Sequence, residues 1–232
     1  MPRLVFLPGL INDARLWQNQ IDGLNGVADC SVDDLTGHDS IAALAASVLE
    51  QAPSTHFALA GLSMGGYVAL EVMRQAPERV TALALLDTSA RPDTPQATEG
   101  RRAAIALSET DYPAFIAALY SRLVNARHGH DPELSALFAA MAHSVGQPAF
   151  TRQQTAILGR IDNRPLLGAI NCPTLVLWGA EDAVTPLEVH AEMAAAIPEA
   201  TLSILPDCGH LSALEQPASV TAALHAWLKK LP

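Results

Sequence analysis

Six short apolar runs recur along the chain: Leu4–Leu7, a weaker one near Cys30–Leu35, His56–Leu62, Val80–Asp87, Thr174–Trp178 and Thr201–Leu205. Several carry no polar residue at alternate positions. A strand with one wet face must alternate, so a run that does not is expected to be buried on both faces. Helical patterns lie between the runs. Ser40–Gln51 puts Ile41, Leu44, Val48 and Leu49 on one face, with Ser40 as its cap. Met64–Gln75 stops before Pro77, and Thr185-Pro186-Leu187-Glu188 reads as a capping box opening a helix to about Ile197. A last helix runs from near Pro217 to about Lys230. Strands alternating with helices require an α/β fold, a mostly parallel sheet covered on both faces.

The alternation fails between residues 90 and 167. No strand is expected there. Asp111 and Asp131 look like helix starts, and apolar residues recur at helical spacing (Phe115, Leu119, Leu123; Leu134, Leu137, Phe138, Met141). This divides the chain into a core of residues 1–89 and 168–232 and a helical insertion of residues 90–167. A length of 232 residues suits one large domain with such an insertion.

Charge and cysteine usage narrow the partners. Fourteen Lys and Arg against 24 Asp and Glu give a net charge of −10, which repels phosphate backbones and disfavours nucleic acid. No run approaches the roughly 18 apolar residues of a membrane span. The apolar run at the N-terminus is too short for a signal-peptide core. Cys30, Cys172 and Cys208 are odd in number and far apart. They suggest neither a disulfide framework nor a zinc site, and a reducing cytoplasm is the expected setting. His128-Gly129-His130-Asp131 has two histidines at zinc-like spacing, but no further ligands at fitting spacing, and Asp131 before Pro132 already serves as a helix cap. No metal or cofactor is expected. Oligomeric state is left open.

The chemistry points to Gly61-Leu62-Ser63-Met64-Gly65-Gly66, which ends one expected strand and opens one expected helix. In that context G-x-S-x-G describes a sharp turn that projects the Ser63 hydroxyl, with glycines where side chains would collide. The following helix aims its N-terminal N–H groups at the same spot, which favours a developing oxyanion. A serine hydroxyl needs a base. His210, in Asp207-Cys208-Gly209-His210, follows the last strand at the sheet edge where α/β sites form. His56 enters a strand from its other end, His225 lies inside the last helix, and His38 sits in a Gly-His loop. A carboxylate must hold the base in its working tautomer. Asp182, just past the fifth strand, is favoured, with Glu181 beside it and Asp87 at the end of the fourth strand as rivals.

The order Ser63, Asp182, His210, together with Pro8-Gly9 after the first strand, Gly179-Ala180-Glu181-Asp182 and Cys208-Gly209-His210-Leu211, resembles the α/β-hydrolase superfamily over nearly the whole chain. It looks most like small single-domain bacterial serine hydrolases of carboxylesterase type. The resemblance implies a roughly six-stranded sheet lacking the two leading strands of larger relatives. It also implies an oxyanion hole built from the backbone N–H groups of Leu10 and Met64, although Pro8 stands where relatives often have His. The insertion falls where the family places its cap. Trp17, Tyr112, Phe115, Tyr120, Phe138 and Met141 are candidates for lining the pocket, or for packing the insertion onto the core.

The expected activity is hydrolysis of carboxylic esters of small to medium acyl groups through an acyl-enzyme on Ser63. Relatives also cleave carbon–carbon bonds, thioesters or lactones, or eliminate a pyruvyl group in menaquinone biosynthesis. The last group usually has Arg where Tyr67 stands. Haloalkane and epoxide chemistry, which needs an Asp nucleophile, does not fit Ser63. Transfer of the acyl group to another acceptor and a small-molecule receptor role remain alternatives.

Overall fold

The computed structural model describes residues 1–52 and 54–231. Six parallel strands form one sheet: β1 (Arg3–Leu7), β2 (Asp29–Val32), β3 (Phe57–Leu62), β4 (Val80–Leu86), β5 (Thr174–Gly179) and β6 (Ala200–Leu205), in the spatial order β2-β1-β3-β4-β5-β6. The chain starts inside the sheet, moves to one edge at β2, and returns to the other side of β1. The strand order therefore reverses between β1 and β3, which pair with Leu4 opposite Ala58 and Leu7 opposite Gly61. Loops leaving the carboxyl ends of those two strands diverge and leave a crevice, the place where open α/β sheets bind ligands.

The apolar runs divide their side chains between two cores. Leu4, Phe6, Ala58, Ala60, Leu62, Ala82, Ala84, Leu175 and Leu177 join one buried cluster. It is covered by α1 (Gln18–Gly23) and by α11 (Pro217–Leu228), the latter supplying Leu224 and Trp227. Val5, Leu7, Leu59, Leu83, Leu85 and Val176 face the other way. There they meet α2 (Ile41–Gln51), α3 (Met64–Gln75) and α9 (Leu187–Ala196). Both faces are dry, which explains runs without alternation. The edge strands β2 and β6 are partly exposed, and their sequences are correspondingly weaker.

Ser40 caps α2 by accepting the Ala43 N–H at 3.2 Å. The expected capping box at Thr185–Glu188 does not form. Pro186 precedes α9 without a side-chain cap, because the Thr185 hydroxyl donates to Asp182 Oδ2 at 2.5 Å instead.

Between β4 and β5 lie α4 (Pro95–Thr110), α5 (Tyr112–Leu123), α6 (Pro132–Val145), α7 (Gln147–Leu158) and the short α8 (Arg164–Leu167). Asp111 and Asp131 cap α5 and α6. The sequence does not mark α4 and α7 as separate helices. Ser108 is the single fully buried residue on α4, and α7 buries Gln153 and Gln154 beside Phe150 and Ile157, so neither shows a clean apolar stripe. Phe115, Phe138, Met141 and Phe150 merge with the cluster that holds Trp17, so the insertion and the sheet share one core.

Close approach at the β3–α3 turn sets a steric test. A Cβ on Gly61 would collide with the backbone of Gly65, and one on Gly65 with the carbonyl of Leu7 in β1. Gly168 meets nothing within 4 Å. Gly61→Ala is expected to lower the melting temperature by at least about 2 °C, from overpacking of about 1–3 kcal/mol. Gly168→Ala should leave it within about 1 °C. Equal melting temperatures would refute the crossing.

Candidate active site

Ser63 sits between the end of β3 and the start of α3 with φ 53° and ψ −114°, a conformation L-residues rarely adopt. The surroundings hold it there. Its N–H donates to Leu86 O at 2.9 Å. Its carbonyl accepts from Gly66 N–H at 2.9 Å and from the Thr88 hydroxyl at 2.8 Å. Thr88 N–H in turn donates to His190 Nε2 at 3.1 Å, while His190 Nδ1 faces Pro186 O at 3.1 Å. That pairing fixes the Nδ1–H tautomer. Burial pushes His190 down to about 4, so it stays a neutral strut at neutral pH.

The loop after β1 lies across the crevice. Asn12 N–H donates to Gly9 O at 3.1 Å and Ile11 has φ 52°. Leu10, within this bend, is partly exposed, and Met64 N–H, in the first turn of α3, has no acceptor within the helix. Gln153 of α7, fully buried, steadies the bend. Its Oε1 accepts Ile11 N–H at 3.0 Å and its Nε2 donates to Leu35 O at 3.1 Å. Sequence reasoning missed Gln153, since nothing around it distinguishes a tied glutamine from an exposed one.

The loops after β5 and β6 bring Asp182 and His210 to Ser63. The Ser63 hydroxyl lies 2.8 Å from His210 Nε2, and His210 Nδ1 lies 2.7 Å from Asp182 Oδ2. Asp182 also accepts Val184 N–H at 2.7 Å and Thr185 N–H at 3.1 Å through Oδ1. The carboxylate therefore orients the ring and fixes which nitrogen faces Ser63. The other candidates are engaged elsewhere. Glu181 accepts from Asn125 Nδ2 at 2.7 Å, and Asp87 Oδ1 accepts Gly179 N–H at 2.9 Å. His38 and His56 are exposed, and His225 is on α11.

All six candidate pocket residues lie in or against the shared core. Trp17 stacks on Phe6 at 4.5 Å between ring centroids. The hydroxyls of Tyr112 and Tyr120 donate to Ala142 O and His128 O. Phe115 packs against Phe150, and Phe138 and Met141 are fully buried. His128 faces Glu215 Oε2 at 3.0 Å. Among the described residues no three His, Cys, Asp or Glu side chains are grouped to hold a metal, and no helix is long and apolar enough to cross a membrane.

A family model described as the alpha/beta hydrolase fold matches residues 2–217. The chain belongs to that family. It is similar to a thermophilic esterase from Thermogutta terrifontis, with 31% identity, a TM-score of 0.89, and coverage of 100% of this chain and 90% of the other. It is 26% identical to a pimeloyl-[acyl-carrier protein] methyl ester esterase of Nitrosomonas europaea over 97% of this chain and 95% of the relative. It is 25% identical to 3-oxoadipate enol-lactonase 2 of Acinetobacter baylyi over 99% and 89%. This α/β-hydrolase is thus a hydrolytic enzyme whose relatives include esterases.

The electrostatics of this α/β-hydrolase favour a basic His210. Burial alone would lower its pKa. The charge of Asp182 and its hydrogen bond, with the charge of Glu215, outweigh that and hold it above the ordinary imidazole value. Asp182 is raised by burial but ends low, because His210 and the Thr185 donors favour its charge. Asp87 is pushed up to about 8, first by burial and then by the charge of Asp182, so it carries a proton at neutral pH. An NMR titration should place His210 above the roughly 6.5 of free imidazole. Asp182→Asn removes the charge that favours imidazolium and should move that midpoint down. A wild-type midpoint below 6, or one unmoved by the substitution, would contradict this electrostatic account.

Proposed function

We propose that the protein hydrolyses carboxylic esters of small to medium, uncharged acyl groups through an acyl-enzyme on Ser63, with His210 as base and Asp182 as its orienting acid. The observation that carries this reading is the unbroken path from the Ser63 hydroxyl through 2.8 Å to His210 and 2.7 Å to Asp182. Ser63 Oγ attacks the ester carbonyl while Nε2 takes its proton. The Leu10 and Met64 N–H groups receive the developing oxyanion. His210 returns the proton to the departing alcohol, leaving the acyl group on Ser63. A water then gives its proton to the same nitrogen, attacks the acyl carbon, and releases the acid and free Ser63.

In this reading residues 90–167 form a cap over Ser63, and the aromatic residues of α5 to α7 support an apolar acyl pocket. The net charge of −10 and the three free cysteines support a dissolved small-molecule substrate in a reducing cytoplasm, not nucleic acid or a membrane. A lactone is a cyclic ester that the same steps would open, and similarity to the Acinetobacter enol-lactonase favours it as the second substrate class.

Steady-state hydrolysis of p-nitrophenyl esters of increasing acyl length, alongside simple lactones, tests the reading. Ser63→Ala should lose at least ~10³-fold in rate. Near-normal turnover in the alanine variant would refute the mechanism. No turnover on any ester or lactone, with a fluorophosphonate still labelling Ser63, would shift the assignment to carbon–carbon cleavage, elimination or a receptor role.

A further inference from the structure

Three consecutive backbone N–H groups around His210 are all taken by named acceptors. Gly209 N–H donates to Glu215 Oε2 at 3.2 Å, and Leu211 N–H to Glu215 Oε1 at 3.2 Å. Between them, His210 N–H donates to Leu123 O, at the end of α5, at 2.7 Å. The Glu215 side chain has no solvent exposure. Its Oε2 also accepts Asn125 N–H at 2.7 Å and faces His128 Nδ1 at 3.0 Å. One buried carboxylate thus joins the loop carrying His210 to the segment between α5 and α6.

That segment has a second hold on the same site. Asn125 Nδ2 donates to Glu181 Oε2 at 2.7 Å, next to Asp182. A Cβ on Gly209 would lie 2.5 Å from Asn125 N and 2.7 Å from the Val124 carbonyl carbon, so the two backbones touch with no room for a side chain. Placing a carboxylate in a dry site without donors is strongly unfavourable. Here donors from both segments converge on it, and neither segment can move away without leaving it underpaired.

We propose that Glu215 is a positioning residue for His210, and that residues 123–128 of the insertion complete the seat by sharing its carboxylate. This rests on His210 being the base of the proposed reaction. The seat acts on the imidazole in two ways. It fixes the backbone from which the ring projects toward Ser63. It also places a negative charge near the ring that favours imidazolium. The groups facing His210 are Asp182 after β5, Asp87 after β4, neutral His190 on α9, and Glu215 on α10 (Ser212–Glu215); His128, on the α5–α6 segment, reaches Glu215.

Glu215→Gln keeps the shape but replaces one acceptor with a donor that must face one of the N–H groups, and it removes the charge. In a thermally stable variant, kcat for a p-nitrophenyl ester should fall about 10- to 100-fold, as for a slightly misplaced catalytic group. KM should stay within about 3-fold. The acid limb of kcat/KM should move to lower pH, because losing a nearby negative charge weakens imidazolium. A merely structural role would not move that limb. Glu215→Asp keeps the charge and shortens the reach. It should lose kcat with the limb near its wild-type position, and it serves if the glutamine variant does not fold. A folded Glu215→Gln enzyme with unchanged kcat and an unmoved limb would overturn the proposal, as would a folded Glu215→Asp enzyme with unchanged kcat. Fluorophosphonate labelling separates this failure from that of the mechanism. If the wild type is labelled at Ser63 and turns over, only the role of Glu215 is at stake. If the wild type is not labelled, the proposed reaction itself falls.

Discussion

The first turn of α3 crosses the end of β1 so closely that Gly65 has no room for a methyl group beside the Leu7 carbonyl. Everything at the site follows from that contact. It brings the turn carrying Ser63 against the end of β1, beside the point where the strand order reverses. It also leaves Ser63 in a backbone conformation of order 1–3 kcal/mol above the common basins, tolerable only because Leu86, Thr88 and Gly66 hold both ends of the residue. The rigid sheet beneath, with both faces dry, keeps that arrangement from relaxing.

Electrostatics then separates the carboxyl groups that share this dry space. Asp182 has four donors, including His210, and stays charged. Asp87 is fully buried and has the Gly179 N–H on one oxygen. Two adjacent buried carboxylates do not both ionise easily, so the poorly solvated one keeps its proton. The number of donors each receives decides which acid serves the histidine.

Much of this was legible in the sequence, for identifiable reasons. Strands buried on both faces write continuous apolar runs, and a nucleophile turn needs glycines at fixed places, so the six strands and Ser63 stand out. Asp111 and Asp131 announce their helices because a short acceptor before a proline has few other uses. The misread position is instructive. Thr185-Pro186-Leu187-Glu188 has the residues of a capping box, but a buried carboxylate three residues upstream offers the threonine hydroxyl a better acceptor. Local patterns lose where a tertiary partner competes. Gln153, Asn125 and Glu215 were invisible for the same reason, since the sequence does not say which polar side chains will be buried or what they will meet.

Those three residues explain how an insertion held mainly by apolar packing keeps one register on the core. Phe115, Phe138, Met141 and Phe150 supply area, but such contact is non-directional and tolerates sliding. A buried hydrogen bond does not. Shifting the insertion would leave Gln153 and Glu215 with unmet partners, at about 1–3 kcal/mol for each neutral group and more for the carboxylate. Both ties end on backbone N–H groups beside site residues: Ile11 next to Leu10, and Gly209 and Leu211 on either side of His210. The interactions that seat the insertion therefore end on the bend after β1 and beside the hydrogen-bonded chain of Ser63, His210 and Asp182. The insertion therefore cannot change position without breaking hydrogen bonds that end on the loops carrying Ile11 and His210.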